Sequence, residues 1–296
     1  MSLVINHNMM AMNAARNLGA SYSQLSDSVR RLSSGLRIGT AADDAAGLAI
    51  RELMRAEIAT LNQGVRNAND AISLIQTADG ALGVVDEKLV RMKELAEQAA
   101  TGTYNSDQRM MIESEYQAMA SEITRIANAT DFNGVHLLNG NLSGMDHDGS
   151  GLVSTGKLKI HFGTGNDSAE DYYYITIGNS TASALGLGNQ SELDAGHNIS
   201  TQQAAQEALD AINQAIISKD KIRAHLGAMQ NRLENTISNL QIQAENMQAA
   251  ESRISDVDVA SEMTEFVRNQ VLTQAAVAML SQANALPQMA LQLIQG

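Results

Sequence analysis

A mainly α-helical fold is what the sequence predicts: a long coiled-coil helical rod with a small β-hairpin region and paired N- and C-terminal helices. Three observations carry this. Apolar residues step by 4, 3, 4, 3 through much of the chain, which is the heptad seam of a coiled coil. Aromatic residues make up only 3% and Trp is absent, so a core has to be built from Ala, Leu, Ile, Val and Met, in thin seams rather than a thick globule. A single proline, Pro287, leaves nearly the whole chain free to form uninterrupted helix.

The elements follow in order. Residues 1–36 read as a short extended start and an amphipathic helix. Its apolar face begins at Val4, Ile5, Met9, Met12 and Ala15 and continues through Leu18, Tyr22, Leu25, Val29, Leu32 and Leu36. The stretch 32–50 interrupts it. Gly35 and Gly39 each cost roughly 1 kcal/mol against Ala in a helix interior. Asp43 and Asp44 suit a helix N-terminus, where carboxylates meet free N–H groups. One helix therefore ends near Leu36 and the next begins near Asp44, with an interhelix loop or joint between. The second helix, 44–100, would be about 85 Å long at 1.5 Å per residue. Its seam runs through Met54, Ile58, Leu61, Val65, Ala68, Ile72, Ile75, Leu82, Leu89 and Ala96. Asp79, Asp86 and Lys93 occupy intervening seam positions, where polar groups fix register or bend the seam.

Gly102 and Thr103-Tyr104-Asn105-Ser106 mark a turn and a cap. A third helix carries Ile112, Tyr116, Met119, Ile123 and Ile126 and turns back at Thr130-Asp131-Phe132-Asn133-Gly134. Residues 134–200 lose the 3.5 period. Leu158, Ile160 and Phe162 alternate, as do Tyr173, Ile175 and Ile177, with Gly163-Thr164-Gly165-Asn166-Asp167 between them, which is a hairpin pattern. Ser200 with Gln203 reads as a capping box. Leu209, Ile212, Ile216, Ile222, Leu226, Met229 and Leu233 then restore the helix period, with a stutter between Leu233 and Ile237. After Glu251 a less regular amphipathic run carries Ile254, Phe266, Leu280 and Leu293.

Composition excludes several functions. A net charge of −13 argues against nucleic acid as a partner. No stretch approaches 18 consecutive apolar residues, so no membrane span is expected. The start, MSLVINHNMMAMNAARNL, lacks the basic, apolar and small-residue segments of a secretory signal, so export is expected by a route without a cleaved signal. Without Cys there is neither disulfide nor thiol chemistry. The six His form no HExxH, and Gly163-Thr164-Gly165 lacks the Lys-Ser/Thr of a phosphate loop. Asp146-His147-Asp148 reads as a solvated acidic turn rather than a metal site. No catalytic residue, metal or cofactor is expected. Asn-X-Ser/Thr recurs at Asn128, Asn141, Asn166, Asn179, Asn189 and Asn198, as chance allows in an Asn- and Ser-rich loop, and O-linked sugars on Ser180 or Thr181 are at least as plausible.

Four segments bear a more specific likeness. They are Leu32-Ser33-Ser34-Gly35-Leu36-Arg37-Ile38 followed by Asp43-Asp44-Ala45-Ala46-Gly47-Leu48-Ala49-Ile50; Asp131-Phe132-Asn133-Gly134-Val135; Ser252-Arg253-Ile254 with Asp256 and Asp258; and Gln282-Ala283-Asn284 with Pro287-Gln288. In this order they resemble bacterial flagellin, over about 1–140 and 201–296. The resemblance implies a structural subunit that polymerises into the helical flagellar filament of swimming motility, secreted and extracellular. A hook–filament junction protein of the same axial family is the alternative, and a coiled-coil signalling or adhesin module a remoter one. The family fold implies an inner-tube domain made of 1–43 and 254–296, and a rod domain, 44–253, with a variable insert at about 134–200 too short for large outer domains. Leu18, Leu25, Leu32, Leu36, Phe266, Leu280, Pro287 and Leu293 are then the inner-tube contacts, with Pro287 kinking or restarting the last helix.

The partners implied are further copies of the chain, an export chaperone on the C-terminal helix, and the filament cap and hook-junction proteins, with unfolded export through the flagellar type III channel. Leu89-Val90-Arg91-Met92-Lys93-Glu94-Leu95-Ala96 also resembles the segment that the innate immune receptor TLR-five recognises in some flagellins. Arg91 and Leu95 fall on matching positions, Glu122 on the matching acid of the next helix, and Val90 and Met92 depart from the pattern. Arg91 and Leu95 are i, i+4 and share a helix face. The competing reading makes Arg91 and Glu122 surface ions and Leu95 part of the seam.

Overall fold

The computed structural model describes residues 8–144, 147–148, 155–188 and 196–295. Helix α1 spans Met9–Ser34, α2 Ala45–Ala100 and α3 Ser106–Ala129. Six short strands follow: β1 Asp131–Phe132, β2 Val135–His136, β3 His147–Asp148, β4 Thr155–Gly156, β5 Leu158–His161 and β6 Tyr172–Ile175. Helices α4, Gln202–Ser255, and α5, Val259–Gln295, complete the chain. The strands pair two by two, each pair antiparallel. The mainly helical class read from the heptads is the one observed, and the predicted hairpin is β5–β6, in register from Leu158↔Ile175 to His161↔Tyr172.

The chain divides into two compact units. One consists of Met1–Ile58 with Glu245–Gly296, the other of Ala59–Ala244. In the first, α1 packs against α5. Asn8 ties both helices: its Oδ1 caps α1 by accepting from the Ala11 amide, and its Nδ2 donates to the Ala283 carbonyl at 2.7 Å. Helix α1 stops because Gly35 turns left-handed, at φ 72°, a conformation that costs a residue with a Cβ. Beyond it Leu36 bridges to Asp256, and the Arg37 amide donates to the Ser255 carbonyl at 2.7 Å.

The joint between α1 and α2 is organised on one carboxylate. Asp43 accepts from both terminal nitrogens of Arg30, from the Gly39 and Thr40 amides and from the Thr40 hydroxyl. The Arg30 guanidinium, helped by the Thr40 amide, holds this carboxyl well below the usual range. Asp44 does the capping, accepting from the Gly47 amide at 2.9 Å. The two adjacent aspartates thus divide the work: one ties the loop, the other starts α2.

In the second unit α2 and α4 run antiparallel, as three apolar clusters record. Leu61 packs with Leu240 and Ala244; Leu74, Ala78 and Leu82 with Leu226 and Leu233; Leu89, Met92 and Ala96 with Ala205, Ala208 and Ile212. Tyr116, Ala120 and Ile123 of α3 complete the last cluster, and Ile175 and Ile177 enter the middle one. The buried side of α2 is wider than the predicted seam, because Leu74, Ala78, Val85, Met92, Leu95 and Ala99 are buried as well. The hairpin lies so close to α2 that a Cβ at Gly64 would come within 2.0 Å of the Phe162 carbonyl oxygen.

Two of the polar seam residues form ion-paired rungs. Arg223 Nε donates to Asp79 at 2.7 Å, which holds that carboxyl below its ordinary range. Lys219, 2% exposed, reaches Asp86 at 2.5 Å and Asp220 at 2.8 Å. Lys93, the third, is exposed.

Two expectations are corrected here. The capping box at Ser200 does not form. Thr201 Oγ1 accepts from the Ala204 amide, so the cap falls one residue later, and Ala204 has no side chain to return the bond. Helix α5 also runs through Pro287 to Gln295, so of the two effects expected there, a kink or a restart, the restart is the one overturned. A proline removes one N–H donor, and the helix continues where its neighbours keep their bonds. Val4, Ile5, Asp146, Asn189 and the side chains of His147, Asp148 and Leu293 lie outside the described residues.

The buried ammonium makes a stability prediction. Lys219→Met should unfold in urea within about 1 kcal/mol of the parent, since an apolar side chain of similar length replaces an ion pair that roughly breaks even. Asp86→Ala with Asp220→Ala leaves the ammonium buried and unpaired. It should cost about 2 kcal/mol, less than a fully buried pair because both carboxylates reach water. The reverse order would show that the rung is a net source of stability.

Candidate assembly and recognition surfaces

The seam between α1 and α5 differs from the one traced by apolar residues alone. On α1 the covered positions include Ala11, Ala14, Leu18, Ser21, Leu25, Ser28 and Leu32, stepping 3, 4, 3, 4, 3, 4. On α5 they include Glu262, Phe266, Asn269, Thr273, Ala276, Leu280, Ala283 and Pro287, stepping 4, 3, 4, 3, 4, 3, 4. Both are heptads, and more than half of each is small or polar. Ser28 and Asn269 are the most deeply covered polar residues of the seam.

Seven of the predicted inner-tube residues can be placed. Leu18, Leu25 and Leu32 of α1 and Phe266, Leu280 and Pro287 of α5 are all half-buried on helices that pack together. Leu36 lies outside α1, half-buried at its bridge to Asp256. Tyr22 and Val29, which the apolar period placed on the seam, instead face outward, 65% and 48% exposed. Among the described residues α1 packs against α5, which covers the Leu-and-small stripe and not the Tyr-and-Val one. The small seam residues carry no apolar signal in the sequence, so the apolar period does not trace them.

Apolar side chains are therefore left on the outer faces. Among the described residues, thirteen of the twenty-two large apolar side chains that are exposed belong to α1 or α5. Val259, Met263, Val267 and Val271 form one row at intervals of four along α5. Between the two helices an apolar groove of about 620 Å³ runs past Met10, Ala14, Leu272 and Met279. Surface of this kind and extent marks an interaction site.

The second surface lies on α2 and α3. Arg91 donates to Glu115 of α3 through Nε and Nη2, at 2.9 and 2.7 Å, and to Glu94 at 3.0 Å. Glu115, followed by Glu94, raises the guanidinium pKa above its ordinary value. Glu122 pairs not with Arg91 but with Arg125, one turn along α3. Leu95 does not join a surface patch: at 1% exposure it belongs to the core cluster with Tyr116 and Ile123. Arg91 and Leu95 both face α3, Arg91 at the rim on Glu115 and Leu95 buried beneath, so of the two only Arg91 is accessible, and Leu95 belongs to the seam.

The glycosylation candidates separate. Ser180 is fully buried, its amide donating to the Leu138 carbonyl at 2.9 Å, so it offers no hydroxyl to a transferase in the folded chain. Thr181 is half-buried and its Oγ1 accepts from the Ala184 amide. Among the described residues no group of His, Asp or Glu is placed to hold a metal ion. Tyr116, whose hydroxyl is pushed up by burial, donates to the Gly196 carbonyl, and Glu113 accepts from the Ile199 amide at 2.5 Å. Both are structural clamps on the segment leading into α4.

Known proteins resemble the chain along its length. A family model described as the bacterial flagellin N-terminal helical region matches residues 5–143, and one described as the C-terminal helical region matches 209–294. A flagellin of Halalkalibacterium halodurans is 44% identical over 293 residues, covering 99% of this chain and 100% of the relative. Flagellin FlaB2 of Treponema pallidum is 40% identical over 296 residues, with coverage of 99% and 100%. The crystal structure of a Bacillus cereus flagellin, 29% identical, covers 63% of this chain and 94% of its own, with a TM-score of 0.46.

Proposed function

The chain belongs to the bacterial flagellin family, and from that membership we infer that it is the structural subunit which polymerises into the flagellar filament. The observation that carries the reading is the outward apolar surface of α1 and α5. A Val or Met passing from half-exposed to buried gains roughly 1–2 kcal/mol. Six such residues on α5 would give on the order of 10 kcal/mol, comparable with the cost of fixing one subunit against another. Repeated contacts along a lattice then exceed that cost. The small and polar intrachain seam fits the same role, since it leaves the larger apolar side chains for neighbouring copies. Relatives named as flagellins favour the filament subunit over a hook–filament junction protein.

The finer parts of the reading follow from family membership. The filament places the chain outside the cell, reached by type III export. An export chaperone covers α5 before assembly, and the cap and hook-junction proteins are its partners at the two ends of the filament. The inner-tube domain takes 1–43 with 254–296 and the rod domain takes 44–253. As a receptor surface, Arg91 and Glu122 remain accessible charges, and Leu95 contributes only by holding α2 against α3.

Val267→Asp with Val271→Asp should leave helix content unchanged by circular dichroism and yield no filaments in a seeded assembly followed by electron microscopy. Filaments of normal length from this variant would remove the α5 stripe as the contact, and a parent protein that never polymerises would overturn the subunit reading itself. For the receptor surface, Arg91→Ala with Glu122→Ala should lower activation of a receptor reporter by disassembled subunit severalfold while filaments still form. Undiminished signalling would refute it.

A further inference from the structure

The chain holds 15 methionines and no cysteine, so thioethers are its only sulfur. Their placement is uneven. Met92 is enclosed in the cluster shared by α2, α3 and α4, and Met229 is buried in the middle one. Among the described residues eight methionines are exposed, and six of these lie on the terminal helices: Met9, Met10 and Met12 on α1, Met263, Met279 and Met289 on α5. The other two, Met110 and Met111, belong to α3. The six are 44–63% exposed and share the faces assigned above to assembly. Met263 stands between Val259 and Val267 in the row along α5. Met10 and Met279 line the groove between α1 and α5, one from each helix.

An exposed thioether is open to hydrogen peroxide. The sulfur lone pair attacks one peroxide oxygen, the O–O bond breaks, and methionine sulfoxide and water are the products. Sulfur gives up two electrons and peroxide takes them. The reaction turns a flexible apolar side chain into a polar one with a strong acceptor oxygen, which disrupts Met-rich interfaces. At Met263 the neighbours in the row, Val259 and Val267, offer that oxygen no side-chain donor, and an acceptor buried without a donor is costly. Sulfoxide reductases reverse the change. Leu or Val at the same places would keep the face apolar and give no such response. On the basis of the assembly reading above, we propose that the methionines on the outer faces of α1 and α5 are a peroxide-modification site that controls polymerisation. In the free subunit they take up oxygen and assembly stops; in the polymer neighbouring copies cover them and they do not react.

The test treats full-length free subunit and preformed polymer with hydrogen peroxide, maps added oxygen by peptide mass spectrometry and follows seeded assembly. In the free subunit the six methionines gain oxygen and Met92 and Met229 do not, and the concentration left unpolymerised rises about tenfold or more. In the polymer the six stay unmodified. With Met9→Leu, Met10→Leu, Met12→Leu, Met263→Leu, Met279→Leu and Met289→Leu combined, peroxide changes assembly less than about twofold from that variant's own untreated level. Met110→Leu with Met111→Leu stays as sensitive as the parent. Methionine sulfoxide reductases of both epimer specificities, with a thiol reductant, restore assembly of the oxidised parent, which tests the proposal even where the six-site variant assembles poorly. Normal assembly by a subunit oxidised at the six sites overturns the proposal and leaves the subunit reading standing. So does a six-site variant that assembles and that peroxide disables as it does the parent, equal modification of the six in the polymer, or a reductase treatment that regenerates the thioethers without restoring assembly. A parent that never polymerises, oxidised or not, overturns the subunit reading and this proposal with it.

Discussion

Two helices packed side by side can cover only one stripe of each other. That limit governs the terminal unit, and through it the function. Helices α1 and α5 are apolar on more than the stripe they share, and the stripe they do share is lined half by Ala, Ser, Asn and Thr. The larger side chains, Tyr22, Val29, Val267 and Val271 among them, stay in water as long as the chain is alone. A protein whose intrachain contacts are modest and whose outer faces are apolar gains most of its terminal stability from other copies. Polymerisation is then the way this unit buries its surface, not an addition to an already satisfied fold.

The central unit shows the opposite balance. Its helices close on three apolar clusters, with α3 and the hairpin covering sides of α2 and α4 that would otherwise stay exposed. The ion-paired rungs at Asp79 and Asp86 sit among these clusters and fix which residues of α4 face which of α2, as polar seam positions do in coiled coils. Gly64 allows the hairpin to touch the helix directly, so the insert is docked on the unit's core rather than hung from it. At the joint, Asp43 draws Arg30, Gly39 and Thr40 onto one carboxylate whose ionised form is strongly favoured.

Much of this was legible in the sequence because helical period and turn chemistry are local signals. The limits of α2 and α3, the break at Gly35, the caps at Asp44 and Asn105 and the alternation of the hairpin strands all follow from neighbouring residues. The failures share a cause. Tracing apolar residues assumes that a seam is apolar, so it passes over Ser21, Ser28 and Asn269 and puts Tyr22 and Val29 inside. The i, i+4 spacing sets Leu95 beside Arg91, and α3 meets both, burying Leu95 and leaving Arg91 at the rim on Glu115. Ser180 looked exposed for lying in a polar loop, but the loop folds back and bonds to Leu138. Each of these depends on contacts between residues distant in sequence, which period and composition do not encode.

Amide hydrogen exchange on free and polymerised protein, resolved by peptide, measures the central claim most directly. If the terminal helices complete their burial only against other copies, α1 and α5 exchange quickly in the free subunit and slow by orders of magnitude in the polymer, while the segments around Leu82, Leu89 and Leu226 are protected alike in both. Equal protection of α1 and α5 in the two states would contradict the account, since the helix pair would then be stable without its neighbours.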